Sequence, residues 1–279
     1  MHGRDDPTSL ILHGLSPGFT PGSNMLMESV WRDGTYAEYA KLPLENCSPM
    51  DEARLLGYPD DGGLGYSVED LMYLWMISIP VGGLRDVDVK AGEKVIIAPA
   101  AGAFGSAAMV TALAMGARVI AVGHDTETLE RLKPLSPEGR IRIVQNTGDV
   151  MADVKEVTKD GPADVFFDIS PGKAANSTHF KSCIQALRRG GRVSLMGPHQ
   201  EHSLPALTIV LYDITIKGKW MYTKEDVRVM IRLVETGYLK LGKAGGIETV
   251  GTFPLEQFDA AFDAAAKMSG PCLQVAIVP

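Results

Sequence analysis

From Lys94 onward the chain falls into a rhythm that few architectures accommodate. Short β-branched runs, "KVIIAPA", "RVIAVG", "IRIVQN", "ADVFFDIS", "GRVSLMG" and "DITIKGKWM", are separated by the helical segments "SAAMVTALAMG", "TETLERLKPL", "VMADVKEVT" and "STHFKSCIQALRR". A longer helix, "KEDVRVMIRLVETGYL", follows the last run. Strands that are apolar on both faces and alternate with helices need a parallel sheet covered on both sides. Six of them fit an α/β fold built on a doubly wound parallel sheet, the Rossmann arrangement.

The first joint in this series carries chemistry. Ala100-Ala101-Gly102-Ala103-Phe104-Gly105 lies between a strand and a helix and supplies the second and third glycines of a dinucleotide turn, with Ala100 at the first. The helix opens on small residues, Ser106, Ala107 and Ala108, so its N-terminus can sit close to the sheet and aim free N–H groups at an anion. A purely structural turn is the competing reading. The second strand closes on Gly123-His124-Asp125, with glycine where a carboxylate would hold a ribose 2′-hydroxyl and an imidazole able to meet a 2′-phosphate. This favours NADP(H) over NAD(H), while Asp125 either swings in for NAD or caps the next helix.

Composition narrows the remaining classes. A net charge of −7 gives no basic footprint for nucleic acid, so a small molecule is the expected partner. The start "MHGRDDPTSLILHG" lacks the pattern of a secretory or transit segment, which points to the cytoplasm. The longest apolar run, "LMYLWMISIPVGGL", is too short to span a bilayer, so no membrane partner is expected. Cys47, Cys183 and Cys272 are too scattered for a disulfide framework or a cysteine-rich zinc site. His199 and His202 decorate the polar loop "PHQEHS".

Around the central series the pattern loosens. Residues 1 to about 30 read as irregular. "GTYAEYAKLP" alternates as a strand, and "SVEDLMYLWMISIPV" carries a helix start at Ser67 with Asp70, ending at Pro80 and Gly82-Gly83. The tail "IETVGTFPLEQFDAAFDAAAKMSGPCLQVAIVP" reads as strand, helix and strand, expected to pair with the strands before residue 90. This divides the chain into a Rossmann domain at 89–242 and a reduced, mostly β second lobe built from both chain ends, 1–88 and 243–279.

These motifs resemble the medium-chain dehydrogenase/reductase superfamily, the zinc-type alcohol dehydrogenases and their zinc-free quinone and enoyl reductase relatives. "DGTYAEYAKLPLENCSPM" is similar to the end of the family's catalytic barrel, "VKAGEKVIIAPAAGAFGSAA" to its entry into the cofactor domain, and "PLEQFDAAFDAAA" with "LQVAIVP" to its C-terminal return. The resemblance implies a catalytic lobe shortened at its N-terminal side, a GroES-like remnant. It also sets Trp75 where zinc enzymes place a cysteine ligand, so no metal is expected. It implies cofactor contacts at Gly102, Ala103, Phe104, Gly105, Gly123, His124, Asn146, Ser170, Gly197, Pro198 and Met221. His199 and Tyr222 are the candidate proton donors, each weighed against a purely structural role; Asp168 reads as an acid bonded to neighbouring backbone. The implied function is a zinc-independent NADP(H)-dependent oxidoreductase acting on a carbonyl, enone or quinone. The alternatives are a non-redox isomerase, dehydratase or cyclase, or a non-catalytic nucleotide-binding protein. Family habit also implies a homodimer through the edge of the Rossmann sheet, for which "TIVLYDITIKGKW" is apolar and β-branched.

Overall fold

A computed structural model describes residues 20–136, 138–174, 177–198, 203–268 and 270–278. Six parallel strands form the main sheet: β1 (Lys94–Ala98), β2 (Arg118–Gly123), β3 (Ile141–Gln145), β4 (Ala163–Asp168), β5 (Leu187–Leu195) and β6 (Thr215–Gly218), in the order β3-β2-β1-β4-β5-β6. The order reverses between β2-β1 and β4, which is where a doubly wound sheet opens a crevice at its carboxyl edge.

Eleven α-helices are described: α1 (Pro21–Ser29), α2 (Glu52–Leu56), α3 (Val68–Met72), α4 (Leu74–Asp86), α5 (Ala103–Ala114), α6 (Thr126–Glu130), α7 (Val150–Val157), α8 (His179–Gln185), α9 (Ala206–Leu211), α10 (Lys224–Glu235) and α11 (Phe258–Lys267). The pleat of β1 shows why both sheet faces must be covered. Val95 and Ile97 enter a core with Leu84 of α4, Met109 of α5 and Val234 of α10, whereas Ile96 and Ala98 enter a second core with Phe180 and Ile184 of α8. Phe166 of β4 meets Phe180 edge-on, with ring centroids 5.7 Å apart.

The flanks differ from the sequence expectations in several places. Residues 21–29, expected to be irregular, form α1, started by Pro21 and by a reciprocal capping box between Thr20 and Ser23. "GTYAEYAKLP" is not a strand: it runs as bends and irregular chain with Tyr36 63% and Tyr39 90% exposed. Alternation alone cannot hold a strand that has no edge to pair with. The C-terminal strands β7 (Glu248–Pro254) and β8 (Leu273–Val278) instead pair with each other in parallel, α11 serving as the crossover that a parallel pair requires. The small second sheet is therefore drawn from the C-terminal end alone, and among the described residues before β1 the regular elements are helices joined by irregular chain. Tyr36 still packs on Phe262 of α11, with centroids 5.8 Å apart.

The helix expected to stop at Pro80 is two: α3 starts where foreseen, on the Ser67–Asp70 capping box, and ends at Met72, and after a turn at Tyr73 α4 runs through Pro80 to Asp86. Gly82 and Gly83 are contact points, not terminators. A Cβ on Gly82 would lie 2.1 Å from the Met221 carbonyl oxygen, and one on Gly83 would lie 2.2 Å from the Met196 sulfur. Close packing on both sides outweighs the one hydrogen bond that Pro80 removes. The stretch before β6 is likewise helical at α9, which leaves only four residues for the edge strand. Among the described residues no helix is long and apolar enough to cross a membrane.

Candidate functional site

β1 ends at Ala98, and Ala100 N–H still bonds the Val122 carbonyl at 2.9 Å, so the turn leaves the sheet at its carboxyl edge. Gly102 is the N-cap of α5 and has no side-chain cap. The N–H groups of the first turn have no acceptor within their own helix. A Cβ built on Gly102 meets nothing within 4 Å, whereas one on Gly105 would lie 2.1 Å from the Pro99 carbonyl oxygen. The two glycines thus have different tasks: Gly102 keeps space open over the helix end, and Gly105 lets helix and strand close up. An anion such as a pyrophosphate fits that gap.

Ser106, one turn into α5, donates from Oγ to the Ala103 carbonyl and accepts from the Cys272 N–H, both at 2.9 Å. The cofactor helix is thereby joined to the start of β8. Cys272 takes φ +56°, and burial pushes its thiol up to about 11. Tyr73, fully buried beside it, is raised above the ordinary phenol range for the same reason. Trp75 stands 59% exposed and edge-on to Phe104, with centroids 5.9 Å apart. It also lines a cleft of about 470 Å³ with Tyr36, Met72, Phe262, Val275 and Ile277, none of them charged.

The strand ends carry the other expected contacts. Gly123 closes β2 and leads into exposed His124, whose Nε2 lies 3.2 Å from the Nδ2 of buried Asn146. The Asp125 carboxylate is engaged as the N-cap of α6, accepting from Thr128 N–H at 3.0 Å and from its hydroxyl, and these bonds lower its pKa. Ser170 is fully buried, with Oγ bound to Asp168 Oδ1 at 2.5 Å and to His179 Nε2 at 2.7 Å. Asp168 is held by this hydroxyl, not by the backbone amides anticipated for it, and its Oδ2 has no hydrogen-bond partner among the described residues. A Cβ on Gly197 would lie 2.6 Å from that oxygen, which is why glycine stands there. Pro198 is exposed, and Met221 and Tyr222 are half-buried against Gly82. His199 lies outside the described residues.

Sequence reasoning missed His179 and Ser177. His179 Nδ1 lies 2.7 Å from Ser177 Oγ, which lies 3.3 Å from Asn146 Nδ2. "STHFKSC" announced a helix start but not that its histidine is only 5% exposed.

The zinc-binding dehydrogenase family model implies a metal, and the residues here do not fit one. Trp75 stands where the resemblance expects a cysteine ligand, and among the described residues no three His, Cys, Asp or Glu side chains converge.

That family model matches residues 103–236. Alcohol dehydrogenase 1 of Neurospora crassa is 28% identical over 179 residues, 63% of this chain and 48% of that protein. Acryloyl-coenzyme A reductase of Sulfurisphaera tokodaii is 27% identical over 238 residues, 82% of this chain and 61% of that protein. A crystal structure titled NAD-dependent alcohol dehydrogenase superposes with TM-score 0.63 at 25% identity, covering 88% of this chain and 66% of that one. The chain thus spans about half to two thirds of the length of these relatives. With the sheet order and the open glycine turn, these matches make the chain similar to the zinc-binding dehydrogenases and support the resemblance to the medium-chain dehydrogenase/reductase superfamily.

Proposed function

We infer that the protein is a zinc-independent NADP(H)-dependent oxidoreductase acting on an uncharged carbonyl, enone or quinone. The carrying observation is the unfilled space over Gly102 at the head of α5. A nicotinamide cofactor held there supplies a hydride. The chain's part is to bind phosphate at the first turn of α5, to orient the ring along the strand ends near Gly197 and Met221, and to exclude water with Trp75 and Phe104.

The 2′-phosphate preference is supported by two features side by side. Asp125 is committed to capping, and exposed His124 stands next to the glycine that ends β2. The solved relative's NAD-dependent title favours NAD(H) as the second reading. The apolar, aromatic cleft at Trp75 suits a neutral unsaturated group. Tyr222 and His199 remain the candidate proton donors.

Dimerisation at the β6 edge is supported by Leu207, Val210 and Leu211, which are 72%, 72% and 59% exposed beside a strand with one neighbour in the sheet. Three free thiols agree with a reducing compartment such as the cytoplasm. Parallel NADPH and NADH titrations of purified protein, read by nicotinamide fluorescence and Tm, test the assignment. NADPH is expected to bind more tightly, and Gly102→Val to lose binding while staying folded; no binding of either nucleotide overturns the reading.

A further inference from the structure

Under His124 runs a chain of polar groups whose hydrogen-bond directions can be worked out from its far end. Ser170 Oγ donates to Asp168, so only its lone pairs remain for His179, and His179 Nε2 carries a proton. Nδ1 of the neutral ring then accepts from the Ser177 hydroxyl at 2.7 Å. Ser177 in turn accepts one Asn146 Nδ2 proton at 3.3 Å, and the other Nδ2 proton points at His124 Nε2, 3.2 Å away. Asn146 Oδ1 is bound by the Thr178 hydroxyl at 3.3 Å. This arrangement suits a neutral His124. A proton on His124 Nε2 would set two donors face to face.

Resting on the NADP(H) reading of the site, we propose that Asn146 is a positioning residue that passes the charge of His124 inward to His179, coupling recognition of a cofactor 2′-phosphate to the buried Asp168–His179 pair. A phosphate against His124 favours the imidazolium. Asn146 then turns its amide over, so that Oδ1 accepts from His124 and from Ser177 while Nδ2 donates to Thr178 Oγ1, a hydroxyl able to accept. Ser177 no longer donates to His179 Nδ1, which takes up a proton and donates to Ser177 instead. The new imidazolium lies 3.5 Å from Asp168 Oδ1. The exchange balances as two protons taken from the buffered solvent: one N–H bond forms on each imidazole, two buffer acids lose a proton, and no electrons change hands.

The charged surroundings agree with this direction. Asp168 reaches α8 from β4, and Asp153 reaches it from α7, since both act on Cys183 one turn beyond His179. Lys181 on the same helix is exposed. Asp164, Arg188 and Arg192 pair among themselves or with Glu93 towards the other end of the sheet, and α9 brings no titratable group. Next to His124 in its own segment stands the capping Asp125.

The test is calorimetry at pH 8 with adenosine 2′,5′-bisphosphate in buffers of different ionisation enthalpy, joined to 15N NMR of the histidine rings. Wild-type protein is expected to take up about two protons per bisphosphate bound, with His124 and His179 both becoming imidazolium. Asn146→Ala and Ser177→Ala are expected to take up about one, with His179 left neutral. Adenosine 5′-diphosphate should protonate neither ring. Uptake of about one proton by the wild type, with His179 unmoved while His124 responds, overturns the coupling and leaves the cofactor assignment standing. Failure of the bisphosphate to bind, or binding no tighter than the 5′-diphosphate, overturns the 2′-phosphate reading and the coupling with it.

Discussion

The two glycines of the turn separate binding from stability. Gly105→Ala forces a methyl against the Pro99 carbonyl and is expected to cost about 1–3 kcal/mol, read as a lower urea midpoint. Gly102→Ala adds the same atom to open space and should leave that midpoint within about 0.5 kcal/mol, while weakening nucleotide binding. Cys272 offers a second single-residue prediction. Burial raises its thiol to about 11 from 9.0, so the folded state keeps a proton that the unfolded chain releases. That stabilising contribution is full below about pH 9 and is lost as pH rises towards 11. Denaturation midpoints measured across this range should fall, and Cys272→Ala should flatten part of the slope. At pH 8 a thiol reagent should find one reactive cysteine in the native protein, exposed Cys47, and all three after unfolding.

At the scale of elements, α10 shows how local signals and tertiary contacts combine. Its Thr223–Asp226 capping box is a sequence-level start signal, and Asp226 also bonds Arg85 on α4. Thr223→Ala should cost about 1 kcal/mol of stability by denaturant titration, and Asp226→Ala more, because it removes the cap partner and leaves Arg85 without this carboxylate. Elements written in local chemistry were legible. The strand runs from Lys94, the Gly102 turn and the Ser67 cap all appear where the residues put them. Elements decided by neighbours were not: α4 continues through Pro80 because Met221 and Met196 pack on its glycines, and "GTYAEYAKLP" is no strand for want of an edge. The polar chain at His179 escaped notice for a related reason. Residue identity shows hydrogen-bonding capacity, whereas burial depends on α8 folding down over β4.

For the whole molecule, the predicted dimer rests on the short β6 and the exposed apolar residues of α9. Sedimentation should give twice the monomer mass, and Val210→Glu should shift it towards the monomer without lowering Tm by more than the loss of the interface. Saturating NADPH should stabilise the fold by about 2.7 kcal/mol at a hundredfold excess over Kd, a shift that Gly102→Val abolishes. The last strand takes part in this response. Because the Cys272 amide ends on a hydroxyl in the first turn of α5, residues close to the C-terminus are stitched to the place where phosphate would rest. Filling one end of that stitch should slow amide hydrogen exchange at the other, so the tail can serve as a remote gauge of occupancy. A chain cut ahead of Cys272 would lose both the gauge and part of the grip.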